Sequence, residues 1–224
     1  MKYILSPSML AANFANLGKQ IDEIKEGGAT YLHVDVMDGV FVPALSFGMP
    51  VMKSIRKVTD LIFDVHLMIT EPIRYVEEFA ASGADIITIH LEACEDAEAT
   101  LKKIRESGCK AGLSIKPGTP VESLKPYLPL LDMILIMSVE PGFGGQKYIE
   151  ASTEKLSLTR KMIAESGFDI DLEVDGGINR ENVKMVLDAG ANVIVAGVAV
   201  FGDQTLENTK AFMEILSEKE SHNE

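Results

Sequence analysis

The sequence predicts an α/β chain folded as a single (β/α)8 TIM barrel, and three observations carry that prediction. Short β-branched runs alternate eight times with longer helical patterns, as in a parallel sheet with helical crossovers. Gly28-Ala29, Gly83-Ala84 and Gly190-Ala191 stand where helix ends would pack closely against the strands they feed. No Gly-x-Gly-x-x-Gly follows the first strand, which disfavours the competing doubly wound dinucleotide fold.

Taken in order, the first strand is expected at 4–8, ended by the turn signal at Pro7. A helix from about Phe14 to Glu26 carries Leu17, Ile21 and Ile24 on one stripe and stops at Gly27-Gly28. The second strand is 31–36, and a short helix follows Pro50. A third strand at 61–68 leads to a helix over 71–80, with Pro72 in its first turn. The fourth strand is 86–90, its helix 96–107, and the fifth strand 110–115, with a short helix after Pro120. The sixth strand, 132–138, is apolar enough to be buried on both faces. A glycine-rich loop, 139–148, precedes a helix over 152–166 and the seventh strand at 170–174. Asn179 suits the start of a helix running to Gly190. The eighth strand, 192–196, and a helix over 206–217 complete the barrel domain, 1–217. The charged tail 218–224, which includes His222, is expected to be frayed and disordered.

A net charge of −13 disfavours non-specific binding to nucleic acid or an anionic membrane, so local groups must hold any anionic substrate. Cys94 and Cys109 lie in no metal-binding or redox spacing and read as reduced thiols. The amino terminus lacks the apolar region of a signal peptide, and no stretch approaches the ~20 apolar residues that span a bilayer. A cytoplasmic protein is the expectation.

Barrel active sites sit at the carboxyl ends of the strands. There the sequence places Ser8, His33, Asp35, Met37, His66, Met68, Met137 and Asp175, while His90 ends the fourth strand. Alternate strand residues share a face, so His33 and Asp35 point the same way. Two imidazoles and two carboxylates converging at the mouth suit Zn²⁺, Fe²⁺, Mn²⁺ or Co²⁺. The competing reading is four polar residues satisfied separately under loops.

Glycine-rich turns follow the last three strands: Gly142-Phe143-Gly144-Gly145, Gly176-Gly177 and Gly197-Val198. Such turns let backbone N–H groups approach an anion, with helix starts adding their positive ends. They suit a phosphate, and the plainer reading is tight turns alone.

Ser6-Pro7-Ser8, His33-Val34-Asp35-Val36-Met37-Asp38-Gly39, Asp64-Val65-His66-Leu67-Met68, the run from Met137 to Gln146, and Glu173 to Ile178 together resemble the ribulose-phosphate 3-epimerase family. The likeness runs in order from about Ile4 to Gly202. It implies a barrel of the ribulose-phosphate-binding type and a metal-dependent isomerase that epimerises a ketose phosphate at C3, most simply D-ribulose 5-phosphate to D-xylulose 5-phosphate in the pentose phosphate pathway. D-allulose 6-phosphate is the alternative substrate. A lyase or decarboxylase of the phosphate-barrel type, using Lys116 at the end of the fifth strand, is a more distant one.

By resemblance, His33, Asp35, His66 and Asp175 hold one divalent ion per chain, zinc before iron, manganese or cobalt. Asp35 and Asp175 also form the acid/base pair, working through a metal-stabilised enediolate. Ser8, His66, Asp175 and the Gly142, Phe143, Gly144, Gly145 loop meet the substrate. Gly176, Gly177, Gly197 and Val198 cradle its phosphate, and Met37, Met68 and Met137 line the floor. A homo-oligomer, dimer or hexamer, is implied, with no nucleic-acid or membrane partner. Val198 stands where the family usually has Ser, Ala44 where Asn is common and Asn13 where Asp is common. The first departure removes a hydroxyl from the phosphate site and is expected to weaken binding without abolishing it.

Overall fold

Eight parallel strands, each seven residues or shorter, form the wall of the barrel in the computed structural model, which describes residues 2–221. The strands are β1 (Ile4–Pro7), β2 (Tyr31–Met37), β3 (Ile62–Met68), β4 (Ile86–His90), β5 (Lys110–Ile115), β6 (Met133–Met137), β7 (Asp171–Asp175) and β8 (Val193–Ala196). From β2 to β8 each strand pairs with the next in sequence, and β8 returns to pair with β1. The ring is drawn together between β1 and β2 by a single parallel bridge, Ser8 to His33.

Seven α-helices wrap the outside: α1 (Leu17–Glu26), α2 (Met49–Ile55), α3 (Val76–Ala81), α4 (Ala97–Glu106), α5 (Ala151–Ser166), α6 (Val183–Asp188) and α7 (Thr205–Ser221). Outward-facing strand residues such as Val34, Phe63, Val65, Ile87, Leu113, Ile134 and Val174 pack against helix stripes such as Leu17, Ile21 and Ile24. Those are the residues that 2.0 and 3.6 periodicity set facing each other. At the barrel's lower end Ile4, Tyr31, Ile62, Ile86, Met133 and Val193 make an apolar plug. No helix among the described residues is long and apolar enough to cross a membrane.

Several elements differ from expectation, each for a local reason. The segment after Pro120 is a 3-10 helix, Val121–Leu130, because Pro126 and Pro129 remove backbone donors an α-helix needs. The helix expected over 71–80 divides into a 3-10 turn, Pro72–Arg74, and α3. Glu71 before it is left-handed at φ 49, and Tyr75, at φ −121, interrupts the winding. The helix expected from Asn179 begins in turns: Asn179 caps them, its Oδ1 accepting from the N–H of Glu181 and Asn182, and α6 proper starts at Val183.

The expected tail is helical through Ser221, since α7 continues past residue 217. Its end is pinned: the Tyr3 N–H donates to Glu220 Oε1 at 2.8 Å, Lys219 meets Asp188, and Lys184 meets Glu218. The remainder of that tail, 222–224 with His222, lies outside the described residues.

Candidate active site

The carboxyl ends of β1, β2, β3 and β7 bring Ser8, Asp35, His33, His66 and Asp175 together. Ser8 follows β1, and the pairing of β2 with β3 sets Asp35 beside His66. Ligand atoms of His33, Asp35, His66 and Asp175 all lie within 4.8 Å of one another. His66 Nδ1 is 3.2 Å from Asp35 Oδ1 and 3.9 Å from Asp175 Oδ2. The Ser8 hydroxyl donates to Asp35 Oδ2 at 2.6 Å.

The donor set fits a divalent metal. His33 Nδ1 is 2.7 Å from Asp64 Oδ2, a contact that aims the other ring nitrogen at the cluster. That nitrogen, Nε2, is buried and makes no hydrogen bond, although Asp35 Oδ1 lies 3.3 Å away. An orphaned imidazole nitrogen beside two carboxylates is the arrangement a borderline-soft cation satisfies. Asp64 is held in turn by the Ser6 hydroxyl at 2.9 Å.

Electrostatics inside the cluster are uneven. Burial alone would raise the Asp35 carboxyl, but His33 and His66 outweigh it and hold it well below the usual carboxylate range. Burial and then the nearby Asp35 charge push Asp175 up to about 6. Burial lowers His33, yet Asp35 and Asp64 together raise it well above an ordinary imidazole. Below them, burial and the charge of Asp64 raise Glu173 well above the carboxylate range. Burial drives His90 down to about 4 despite its contact with Glu92. Buried groups of this kind lose or share protons when a cation enters.

Above the cluster opens a cleft of about 590 Å³. Its lining includes Ser8, Asp35, Met37, Met68, Met137 and Asp175, with His33 and His66 fully buried below. The methionines serve two roles, since Met37 and Met68 also pack with Val42 and Met137 packs with Leu135 and Val139. At the other side the lining runs through Gly142, Phe143, Gly144 and Gly145, then Gly176 and Gly177, then Gly197 and Val198. Gly177 cannot be replaced without strain: its φ is 68, and a Cβ there would lie 2.4 Å from the backbone nitrogen of Tyr148. No lysine or arginine is among the described lining residues, so any anion there depends on backbone dipoles. The helix starts expected beside these turns stand farther off, since α6 and α7 begin only at Val183 and Thr205.

Of the noted departures, only Val198 lines the cleft. Asn13 caps a 3-10 turn by accepting from the Ala15 N–H, and the Ala44 carbonyl accepts from Gly39. Lys116, the residue of the lyase alternative, is not in the lining; its ammonium lies over the Phe41 ring, 4.1 Å from the centroid. Asp64, Glu173 and the pair His90–Glu92 are site residues that the motif reading left without roles. Their signal was same-face pairing at i, i+2 with a ligand or its neighbour, as in Asp64-Val65-His66 and Glu173-Val174-Asp175.

The model of the ribulose-phosphate 3 epimerase family matches residues 4–201. Ribulose-phosphate 3-epimerase of Bacillus subtilis (strain 168) is 46% identical over 216 residues, covering 96% of this chain and 99% of its own. The Synechocystis enzyme of that name is 50% identical, covering 88% and 87%, and that of Escherichia coli (strain K12) is 48% identical, covering 89% of each. Among solved structures, KGPDC from Streptococcus mutans superposes with a TM-score of 0.71 at 14% identity, covering 97% of this chain and 99% of that one. A tryptophan synthase α-subunit from Pyrococcus furiosus gives 0.67 at 18%, covering 98% and 97%. These distant structures speak for the barrel alone.

Proposed function

The chain belongs to the ribulose-phosphate 3-epimerase family and is an isomerase, and from that premise we propose how its own residues epimerise C3 of D-ribulose 5-phosphate. The observation that carries the proposal is the four-residue cluster, with its orphaned His33 Nε2, directly beneath a cleft walled by glycine turns.

His33, Asp35, His66 and Asp175 hold one divalent ion, zinc by preference among zinc, iron, manganese and cobalt. When bound, the ion supplies Lewis-acid polarisation of the ketone and its neighbouring hydroxyl. Asp35 and Asp175 reach the cleft from β2 and β7, which β1 and β8 separate. One carboxylate removes the C3 proton on its face, and the other returns a proton from the opposite face; the roles exchange in the reverse reaction. Ser8, donating to Asp35 Oδ2, keeps that carboxylate from rotating. Met37, Met68 and Met137 form a dry floor that keeps water from the carbanionic carbon.

The phosphate lies at the far end, against Gly176, Gly177, Gly197 and Val198, where backbone groups hold it in an acidic protein. The Gly142–Gly145 loop, with Phe143 exposed, lies over the sugar. A cytoplasmic location and assembly as a homodimer or hexamer belong to the same reading.

Chelation should abolish turnover, and Zn²⁺, Mn²⁺, Co²⁺ or Fe²⁺ should restore it at one ion per chain. D-ribulose 5-phosphate should be turned over faster than D-allulose 6-phosphate, and free ribulose should be far poorer than either. Full activity in protein shown metal-free by elemental analysis would overturn the metal assignment. Equal specificity constants with and without phosphate would overturn the phosphate assignment.

A further inference from the structure

Behind His66, away from the cleft, a second line of polar groups runs outward. His66 Nε2 is 2.9 Å from Nε2 of His90, the last residue of β4. His90 Nδ1 is 3.3 Å from Glu92 Oε2. The other oxygen of Glu92 accepts the Lys116 N–H at 2.8 Å and the Thr119 hydroxyl. That loop is itself clamped: Lys155 Nζ donates to the carbonyls of Lys116, Pro117 and Thr119 at 2.7–3.0 Å. The Phe41 ring lies 5.0 Å from that of His90, and both histidines are fully buried.

We propose that His90 and Glu92 are positioning residues, which fix the tautomer of His66 and aim its Nδ1 at the metal. The inference rests on the metal reading of the four-residue cluster. Its logic is a count of protons along the line. A neutral imidazole carries one N–H, so His66 can present a Nδ1 lone pair only with its proton on Nε2. That N–H must donate to His90 Nε2, which must therefore be bare, leaving the His90 proton on Nδ1. Glu92, an acceptor when ionised, receives that proton as a hydrogen bond. The opposite order would set a bare His90 Nδ1 against a carboxylate and turn an N–H of His66 toward the ligand cluster. Glu92, anchored by Lys116 and Thr119, thus selects the tautomer two residues away from itself in the chain of contacts. Outer-shell partners of this kind are worth ~10–100-fold in metal affinity.

The test uses Zn²⁺ alone. Competition against a fluorescent chelator should show the dissociation constant rising ~10–100-fold in His90→Phe, which keeps a ring and loses the acceptor. His90→Gln, whose Oε1 can accept, should recover most of that loss. In zinc-loaded wild type labelled with ¹⁵N at its four histidines, His66 should carry its proton on Nε2 and His90 on Nδ1. A folded His90→Phe binding Zn²⁺ within twofold of wild type would overturn the positioning role alone. So would a His90 protonated on Nε2, a result that needs no variant to fold. Wild-type protein taking up no Zn²⁺ would overturn the metal reading and the inference with it.

Discussion

The two ends of the barrel interior use the same strands and the same alternation, yet their chemistry is opposite. The lower end is filled by Ile4, Tyr31, Ile62, Ile86, Met133 and Val193, with no carboxylate or imidazole among them. Two to four residues farther along β1 to β4 stand Ser6 and Ser8, His33 and Asp35, Asp64 and His66, Thr88 and His90, and β7, which gives the plug no residue and has Asp171 at its level, adds Glu173 and Asp175. Here His33 Nε2, Asp64 Oδ1, Thr88 Oγ1 and both Glu173 oxygens are buried without hydrogen bonds. Burial stabilises the first set and opposes the second. The lower plug and the outer shell hold the barrel together, and the upper interior spends some of that stability to keep reactive groups in place. The proposed function is thus concentrated where the fold is locally unfavourable.

The largest effect should come from breaking the upper end. Asp35→Asn or Asp175→Asn should lower turnover by at least ~10²–10⁴. Metal content measured in each variant separates lost ligation from lost proton transfer. A variant retaining metal and near-normal turnover would remove that aspartate from the mechanism. At the lower end, Ile86→Ala should lower unfolding stability by about 2–5 kcal/mol in urea titrations while leaving Zn²⁺ affinity of the folded protein unchanged. A matching drop in affinity would mean the two ends are not independent.

Asp175→Asn sharpens the comparison, because it should damage activity and stabilise the metal-free protein. Burial and the Asp35 charge push the Asp175 carboxyl up to about 6 in the folded chain, above its ordinary 3.8. A folded pKa above the unfolded one means that stability is highest below the unfolded value and falls as pH rises from ~4 to ~6. The variant lacks that loss, so its advantage over chelator-treated wild type should grow from near zero at pH 4 to on the order of 2–3 kcal/mol at pH 7.5. A constant difference across that range would contradict the unfavourable upper end.

How much of this was legible follows from the same contrast. The eight strands and the four clustered residues could be read because strand alternation and carboxyl-end placement are local rules: His33 and Asp35 share a face whatever surrounds them. The supporting layer was less legible. Apart from the His90–Glu92 contact itself, Asp64, His90, Glu92 and Glu173 act through partners 24 or more residues distant, as in His66 with His90 or Lys116 with Glu92, so spacing along one strand names candidates but not contacts. Helix ends were hardest, since Pro126, Pro129 and Tyr75 change the winding through single residues, and α7 gains four residues from a contact with Tyr3 at the other end of the chain.

The smallest effect concerns the phosphate end. Val198→Ser restores a hydroxyl beside Gly197 and should tighten phosphate binding by ~1.5 kcal/mol, the low end for a hydrogen bond to a charged group because the position is exposed. Inhibition by inorganic phosphate measures it, and an unchanged inhibition constant would mean that the side chain at 198 does not reach the anion.

The most direct test of the account is turnover of D-ribulose 5-phosphate in D₂O by the metal-loaded protein. If Asp35 and Asp175, which both line the cleft, act on opposite faces of C3 as proposed, the proton returned is not the one removed. D-xylulose 5-phosphate formed should therefore carry solvent deuterium at C3. Product that retains the original hydrogen at C3 would contradict the two-base account and point to transfer by a single shielded group.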